Sequence, residues 1–319
     1  VDLSAAVREA RVVAPVGGRT QWEAGGPPPA PATEVRAPAG VIRYEPADMT
    51  VTVGAGTTFA ALDALLAERG QECALDPPDP TATIGGILAC GLSGFRRLRC
   101  GPVRDNVLEV RVVLADGRMI KGGGPTVKNV TGYDLPRLFV GSFGTLGVIA
   151  EVTLRCRPRP ACSRWFVCDD GSTLYRPTAR LWSGGEEHVL VEGTETDVLA
   201  QAAGARAVDA PPDLPDGPHR GRISIAPARI AALASALDGT ARWCAELGVG
   251  TVHVACDTAD AFLAARRGAA AHGGWMLRER GGPADDDGFG VPLPNIEIMR
   301  RLKRAFDPDN KCNPGRLPV

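Results

Sequence analysis

The chain has 319 residues and 44% apolar residues, enough for one large domain or two ordinary ones with cores of their own. A formal net charge of -1 gives no electrostatic basis for binding nucleic acid or an anionic membrane surface. No apolar run approaches the roughly 20 residues that span a bilayer. No basic-then-apolar leader pattern follows Val1, a first residue that leaves room for sequence upstream.

Asp2 to Ala10 reads as a short helix and Arg11 to Val16 as a strand that runs into Pro15-Val-Gly-Gly-Arg-Thr20. Successive N–H groups in a tight glycine turn form an anion-binding concavity, to which Thr20 adds a hydroxyl and Arg19 a charge. Taken alone, the same hexapeptide is also an ordinary turn. Gly25 to Ala32 (GGPPPAPA) excludes a helix or central strand and is expected as an exposed loop. Short strands are predicted at Glu34 to Ala37, Val41 to Glu45 and Thr50 to Val53. A helix follows over Thr57 to Arg69, with Phe59, Leu62, Leu65 and Leu66 on one face and Gly70 as its stop. Gly54-Ala-Gly56 lacks the third glycine of a dinucleotide fingerprint, and a proline-rich loop follows instead of a second parallel strand.

The glycine-dense stretch Pro80 to Ile149 is the organising feature. Glycine weakens helices and strands, so such clusters mark places where backbone must come close to something. Thr81 to Gly94 is predicted as a short glycine-interrupted helix whose free N–H groups face an anion. Val107 to Leu114 is the clearest strand, and Ala115-Asp-Gly-Arg118 turns it into a second over Met119 to Lys121. Asp134 to Val140 reads as a helical turn and Leu146 to Arg157 as a long strand, with Pro158 and Pro160 marking a boundary.

Beyond the boundary, strands are expected at Arg164 to Cys168, His188 to Glu192, Arg222 to Ala226 and Thr251 to Cys256. Helices are expected at Glu195 to Ala203, Pro227 to Leu237 and Thr258 to His272. The alternation predicts one sheet with helices on one face. Gly281 to Gly290, with Asp285-Asp-Asp287, reads as a solvated acidic turn, and Pro294 to Phe306 as an amphipathic basic helix.

Nine cysteines without a Cys-x-x-Cys pair argue against a disulfide framework and against an iron–sulfur or zinc site. The four histidines have no ligand spacing, so no metal site is expected. His253, on an apolar strand with no evident carboxylate partner, reads as a core histidine rather than a base.

These pieces, in this order, resemble the vanillyl-alcohol-oxidase-type (PCMH-type) FAD-binding family, and within it the FAD-binding subunits of bacterial glycolate oxidases. The resemblance rests on Pro15–Thr20, Ala82-Thr-Ile-Gly-Gly86 with Leu92-Ser-Gly94, Val103-Arg-Asp105 and Leu114-Ala-Asp-Gly117. It continues through Lys128-Asn-Val-Thr-Gly-Tyr-Asp-Leu135, Val140–Ile149 and the closing Phe306-Asp-Pro and Asn313-Pro-Gly315.

It implies an α+β fold. A two-subdomain FAD-binding domain (1–158) is followed by an α+β cap (159–290) and a C-terminal helix and tail (291–319) returning to the FAD site. It places Gly17, Gly18, Arg19 and Thr20 at the pyrophosphate. Thr83, Gly85, Gly86, Ser93 and Gly94 line the diphosphate and flavin, with Pro80, Ala82 and Ile84 of the same segment. Val148 and Ile149 lie near the adenine, and Asn313 closes the pocket. The wider family often has a small residue where Arg19 stands. No histidine occurs where some members attach flavin covalently, so FAD is expected to bind noncovalently.

The implied role is glycolate (2-hydroxy acid) oxidation in a complex, in the cytoplasm, with any association at the inner face of the membrane made through partners. The implied partners are a second flavoprotein subunit and an iron–sulfur subunit. A self-sufficient oxidase or dehydrogenase and a non-catalytic structural subunit are the alternatives. No catalytic residue is assigned.

Overall fold

The computed structural model describes residues 2–124 and 134–319. Lys128 to Tyr133, most of one run that carries the resemblance, lies outside the described residues. Helix α1 (Leu3–Glu9) starts at Asp2, whose carboxylate accepts from the Ser4 N–H at 3.0 Å. Strands β1 (Val13–Pro15) and β2 (Thr33–Val35) pair in parallel, and β3 (Val41–Glu45) pairs antiparallel with β4 (Thr50–Gly54). Helix α2 (Phe59–Ala67) is capped by the Thr58 hydroxyl, and Gly70 beyond it takes φ 62°. There follow β5 (Gln71–Glu72), α3 (Ile84–Cys90), α4 (Arg97–Cys100), β6 (Val107–Val113) and β7 (Met119–Gly123). Then come α5 (Leu135–Phe139), β8 (Val148–Arg155) and β9 (Arg157–Pro158).

Among the described residues these strands form an antiparallel sheet ordered β3-β4-β8-β6-β7. Strand β6 is buried on both faces, because the sheet is covered twice. Leu62, Leu66, Ile84, Ile87 and Leu88 of α2 and α3 pack on one side with Val110, Val112 and Leu154. Val7, Val13 and Val35 pack on the other against Val113, Val148 and Ala150. The valine-rich run Val107-Leu-Glu-Val-Arg-Val-Val113 suits two covered faces.

The remaining residues build β10 (Cys162–Cys168), β11 (Ala179–Ser183), β12 (Glu186–Gly193), α6 (Glu195–Gln201), β13 (Arg206–Val208) and β14 (His219–Ser224). After these come α7 (Ile230–Leu237), β15 (Arg242–Glu246), β16 (Thr251–Cys256), α8 (Ala259–Ala271), β17 (Trp275–Arg280) and α9 (Ile296–Phe306). The second sheet runs β13-β10-β12-β11-β15-β16-β14-β17. Four of its strands (β11, β13, β15 and β17) were not expected from sequence. Their mixed composition, as in Arg242-Trp-Cys-Ala-Glu246, carries little β-branched signal.

Register sorts the faces of this sheet. Phe166 opposes Val189, Ala245 opposes Val252, and Ile223 opposes both Val252 and Met276. All lie under helices α6, α7 and α8. The other face carries Glu246 opposite Thr251, with His253 opposite both Cys244 and Arg222. That charged face meets the first sheet's domain at Phe95, whose ring stands edge-on to both Trp165 and His253. Two loops differ from expectation. Ala24, Gly25 and Gly26 are buried beneath the tail. Asp286, in the acidic turn, is buried and bidentate to Arg266 at 2.6 and 3.0 Å.

Candidate functional site

The Gly17–Thr20 turn leaves β1 with its donors unspent. The N–H groups of Gly17, Gly18, Arg19, Thr20 and Gln21 find no acceptor among the described residues. Arg19 takes φ 60°, a left-handed conformation in which consecutive N–H groups converge on one concavity. That conformation also explains why a small residue would suit position 19. The Arg19 guanidinium turns outward to pair with Glu34 and lies 4.6 Å above the Trp22 ring, so its charge is already matched.

Helix α3 behaves differently from the expectation that its free N–H groups face an anion. The Ile84 N–H donates to Thr57 O and the Gly85 N–H to Ala55 O, each at 2.8 Å. The Gly86 N–H donates to the capping Thr83 hydroxyl at 3.2 Å. The first turn is therefore spent on docking α3 against the end of β4. Its glycines serve close approach instead. A Cβ on Gly85 would stand 3.0 Å from the Ala55 Cβ, and one on Gly17 would stand 2.1 Å from the Thr83 Oγ1. At Gly86 a Cβ would meet only the Thr83 Oγ1, at 3.1 Å, with open space otherwise.

These elements enclose two contiguous hollows that share Pro15, Gly17, Thr83, Gly86 and Ala89. Val148, Ile149, Ala55 and Gly56 wall the first. Gly18, Arg19, Thr20, Ala82, Trp22 and Phe143 wall the second, with Asn313 and Arg316 from the tail. The tail is brought there by main chain. Val13 accepts from the Asn313 N–H at 2.8 Å and donates to Lys311 O at 2.9 Å. The Asn313 Nδ2 donates to Phe143 O at 2.5 Å, while its Oδ1 is buried with no partner among the described residues. Arg19, Phe143 (φ 51°) and Asn313 (φ 45°) thus put three left-handed non-glycine residues around one hollow. Such strain collects where a ligand is held.

Past Cys90 and Phe143 the second hollow borders a chamber of about 450 Å³ between the two sheets' domains. Its apolar wall includes Trp275, Leu277 and Phe289, and its charged wall Arg97, Arg104, Arg137 and Arg222. Arg97 makes no ion pair among the described residues, and burial pushes its pKa down. Arg222 lies 3.6 Å from Glu279. Burial pushes the Cys90 thiol up to about 11, which keeps it protonated near neutral pH.

Of the residues expected from sequence, Gly17, Gly18, Arg19, Thr20, Ala82, Thr83, Gly85, Gly86, Val148, Ile149 and Asn313 line the hollows. Ser93 lines the chamber and accepts from the Val103 N–H at 3.0 Å. Pro80, Ile84 and Gly94 reach neither hollow. Pro80 is exposed and gives its carbonyl to the Ala60 N–H. Ile84 is core, and Gly94 is glycine because a Cβ would fall 1.8 Å from Asp76 O. Trp22, Phe143 and Arg316 were missed, although Phe143 and Arg316 lie in or beside runs singled out from sequence. His253 does have a carboxylate partner: register brings Glu246 Oε1 to 2.9 Å of its Nε2, both buried.

Comparisons with known proteins agree with this geometry. Residues 2–123 match the FAD binding domain model, and residues 293–317 match the C-terminal domain of FAD linked oxidases. The glycolate oxidase subunit GlcE of Escherichia coli is 42% identical over 132 residues, 41% of this chain and 38% of that protein. A D-lactate dehydrogenase of Archaeoglobus fulgidus is 45% identical over 114 residues, 35% of this chain and 26% of that one. The glycolate oxidase subunit GlcD of Bacillus subtilis is 38% identical over 131 residues, 40% and 27% of the two chains. The match thus spans well under half the length of each of these relatives. A solved alkyldihydroxyacetonephosphate synthase superposes with a TM-score of 0.69 at 16% identity, covering 98% of this chain and 74% of that one, a likeness of fold alone. Residues 2–123 and 293–317 thus match the two domain models of FAD-linked oxidases, and over that part the chain is similar to the PCMH-type FAD-linked oxidases.

Proposed function

We propose that the chain binds FAD noncovalently across the two hollows and serves as the FAD-bearing subunit of a complex that oxidises a 2-hydroxy acid such as glycolate. The observation that carries this reading is the run of five unspent N–H groups at Gly17–Gln21 beside the unpartnered Asn313 carbonyl. Convergent backbone donors suit a doubly charged diphosphate, and the open side of Gly86 leaves room for it. Val148 and Ile149 extend beyond the end of β4 and offer the other hollow an edge for the adenine. In this organisation residues 1–158 hold the cofactor, 159–290 cover it and 291–319 close the pocket.

A bound flavin supplies a two-electron acceptor. The chain's own residues must position an anionic substrate and exclude water. Arg97 and Arg222 are placed to take a carboxylate in the chamber, and Trp275, Leu277 and Phe289 keep its far wall dry. The residues described around the chamber include no Asp, Glu or His to take the hydroxyl proton. That favours action beside a larger flavoprotein subunit and an iron–sulfur subunit over self-sufficient oxidation.

The test is a visible spectrum of the purified chain, followed by anaerobic addition of glycolate or D-lactate. Yellow protein that does not bleach alone, but bleaches with its co-purified partners, is the expected result. Bleaching by the isolated chain would establish the self-sufficient enzyme instead. A colourless protein that stays apo with added FAD would overturn the flavin reading altogether.

A further inference from the structure

The tail brings one more charge to the hollow than the fold can balance. Arg266 of α8, Arg278 of β17 and Arg316 of the tail are each more than nine-tenths buried. Asp286 serves two of them. It is bidentate to Arg266 and lies 3.8 Å from Arg278. Arg316 has no carboxylate partner among the described residues. Its Nη1 donates to Gly26 O at 2.8 Å, and its guanidinium carbon lies 5.6 Å from the Trp22 ring centre. Its Nε is buried without an acceptor.

The backbone fixes this arrangement from both sides. The Gly26 N–H donates to Arg316 O at 3.0 Å while Arg316 donates back to the Gly26 carbonyl. A Cβ on Gly26 would stand 1.9 Å from Gly315 O, so residue 26 is glycine to let the tail seat. The arginine is therefore held in place, with no freedom to swing to solvent.

A buried, unpaired cation is costly unless something anionic arrives to neutralise it. Burial, with the nearby Arg278 charge acting in the same direction, depresses the Arg316 pKa, yet a guanidinium stays charged. It lines the hollow that Gly17–Thr20 also line. Arg19, the other arginine on that wall, is already paired with Glu34.

We propose that Arg316 is the fixed counter-charge for the anionic part of the dinucleotide bound in this hollow, a positioning charge built into the chain's last four residues. The inference rests on the flavin reading above. Two anions share this chemistry: the diphosphate, charged in every redox state, and the flavin ring, which gains charge on reduction.

The test uses the full chain stripped of flavin, with Arg316→Gln, which keeps a donor for Gly26 O, and Arg316→Lys, which keeps the charge. Circular dichroism confirms the fold, and fluorescence titration gives the dissociation constants for FAD and for ADP. Loss of a hydrogen-bonded charge predicts a roughly 10- to 100-fold weaker complex for Arg316→Gln, largely recovered in Arg316→Lys. Weakening of ADP and FAD alike assigns the diphosphate. An unchanged dissociation constant with a midpoint potential lower by about 30 mV per tenfold of differential affinity assigns the reduced ring. If Arg316→Gln binds both ligands as wild type does and leaves the potential unmoved, the inference is wrong while the flavin reading stands. If wild type itself binds no FAD, the flavin reading has failed. If Arg316→Gln does not fold, Arg316→Met, a neutral replacement of similar volume, is titrated in its place and the same outcomes apply.

Discussion

Lys303 is the perturbation that most directly tests how the tail is held. Its ammonium is buried within α9, bonds Asp307 Oδ2 at 2.5 Å, and donates to Thr145 O at 2.8 Å and Cys312 O at 3.0 Å. Asp307 in turn accepts from the Lys311 N–H at 2.9 Å and the Cys312 N–H at 2.7 Å. One ion pair therefore joins α9, the 142–145 turn and the strand-like return of the tail to β1. Lys303→Met would leave a buried carboxylate unpaired and two carbonyls without donors. Breaking such a pair from one side costs about 3–5 kcal/mol. For a chain of this size that lowers the melting temperature by about 4–8 °C. Adding Asp307→Asn removes the stranded charge, so the double variant should be more stable than Lys303→Met alone, with a coupling of about 1 kcal/mol or more. Differential scanning calorimetry of the two single variants and the double one measures this. Additive losses, or a drop under about 2 °C for Lys303→Met, would refute the reasoning that the pair acts as a buried unit.

Gly86→Glu is expected to abolish flavin retention in a folded protein, because its side chain grows into the one open side of α3. Gly86→Ala should lose far less, its Cβ meeting only the Thr83 hydroxyl; the absorbance ratio of visible to ultraviolet bands reads both, and unchanged flavin content in Gly86→Glu would refute the placement. Alkaline pH should destabilise the fold. Burial raises the thiols of Cys90 and Cys156 to about 11 and those of Cys244 and Cys312 to about 12. In the unfolded chain these groups ionise near their ordinary value, so the unfolded state binds fewer protons and stability falls as pH rises from about 9 towards 11–12. Each thiol contributes a slope of about 1.4 kcal/mol per pH unit in that window. Cys244→Ala should show a shallower decline of melting temperature above pH 9, and an identical slope would refute the assignment.

Much of the first domain was legible because its signals are local. The valine-rich run at 107–113 and the glycine after α2 each act within a few residues. The cap was harder. Strands β11 and β15 hold Leu181, Trp182, Cys244 and Ala245 beside Arg180, Arg242 and Glu246, so neither an alternating nor a continuous apolar pattern emerges. The Glu246–His253 pair and the Asp286–Arg266 pair were invisible for the same reason. Each depends on register or on a loop folding back, and sequence distance says nothing of either.

The glycines separate into two kinds that sequence alone could not tell apart. Gly85 and Gly94 allow protein to approach protein, against Ala55 and Asp76, and at Gly85 the N–H groups of the turn are consumed by that packing. Gly17 and Gly18 sit tightly against Thr83 and Thr81 yet leave their N–H groups unspent. The first turn of α3 is therefore a wall whose donors are spent, and the free donors stand on the β1 turn packed beside it. The unspent donors and the unpaired Arg316 together make the hollow electropositive, and it borders a chamber that is itself lined with arginine. An anionic dinucleotide laid along the hollow would neutralise that charge, leaving Arg97 and Arg222 for a second, smaller anion.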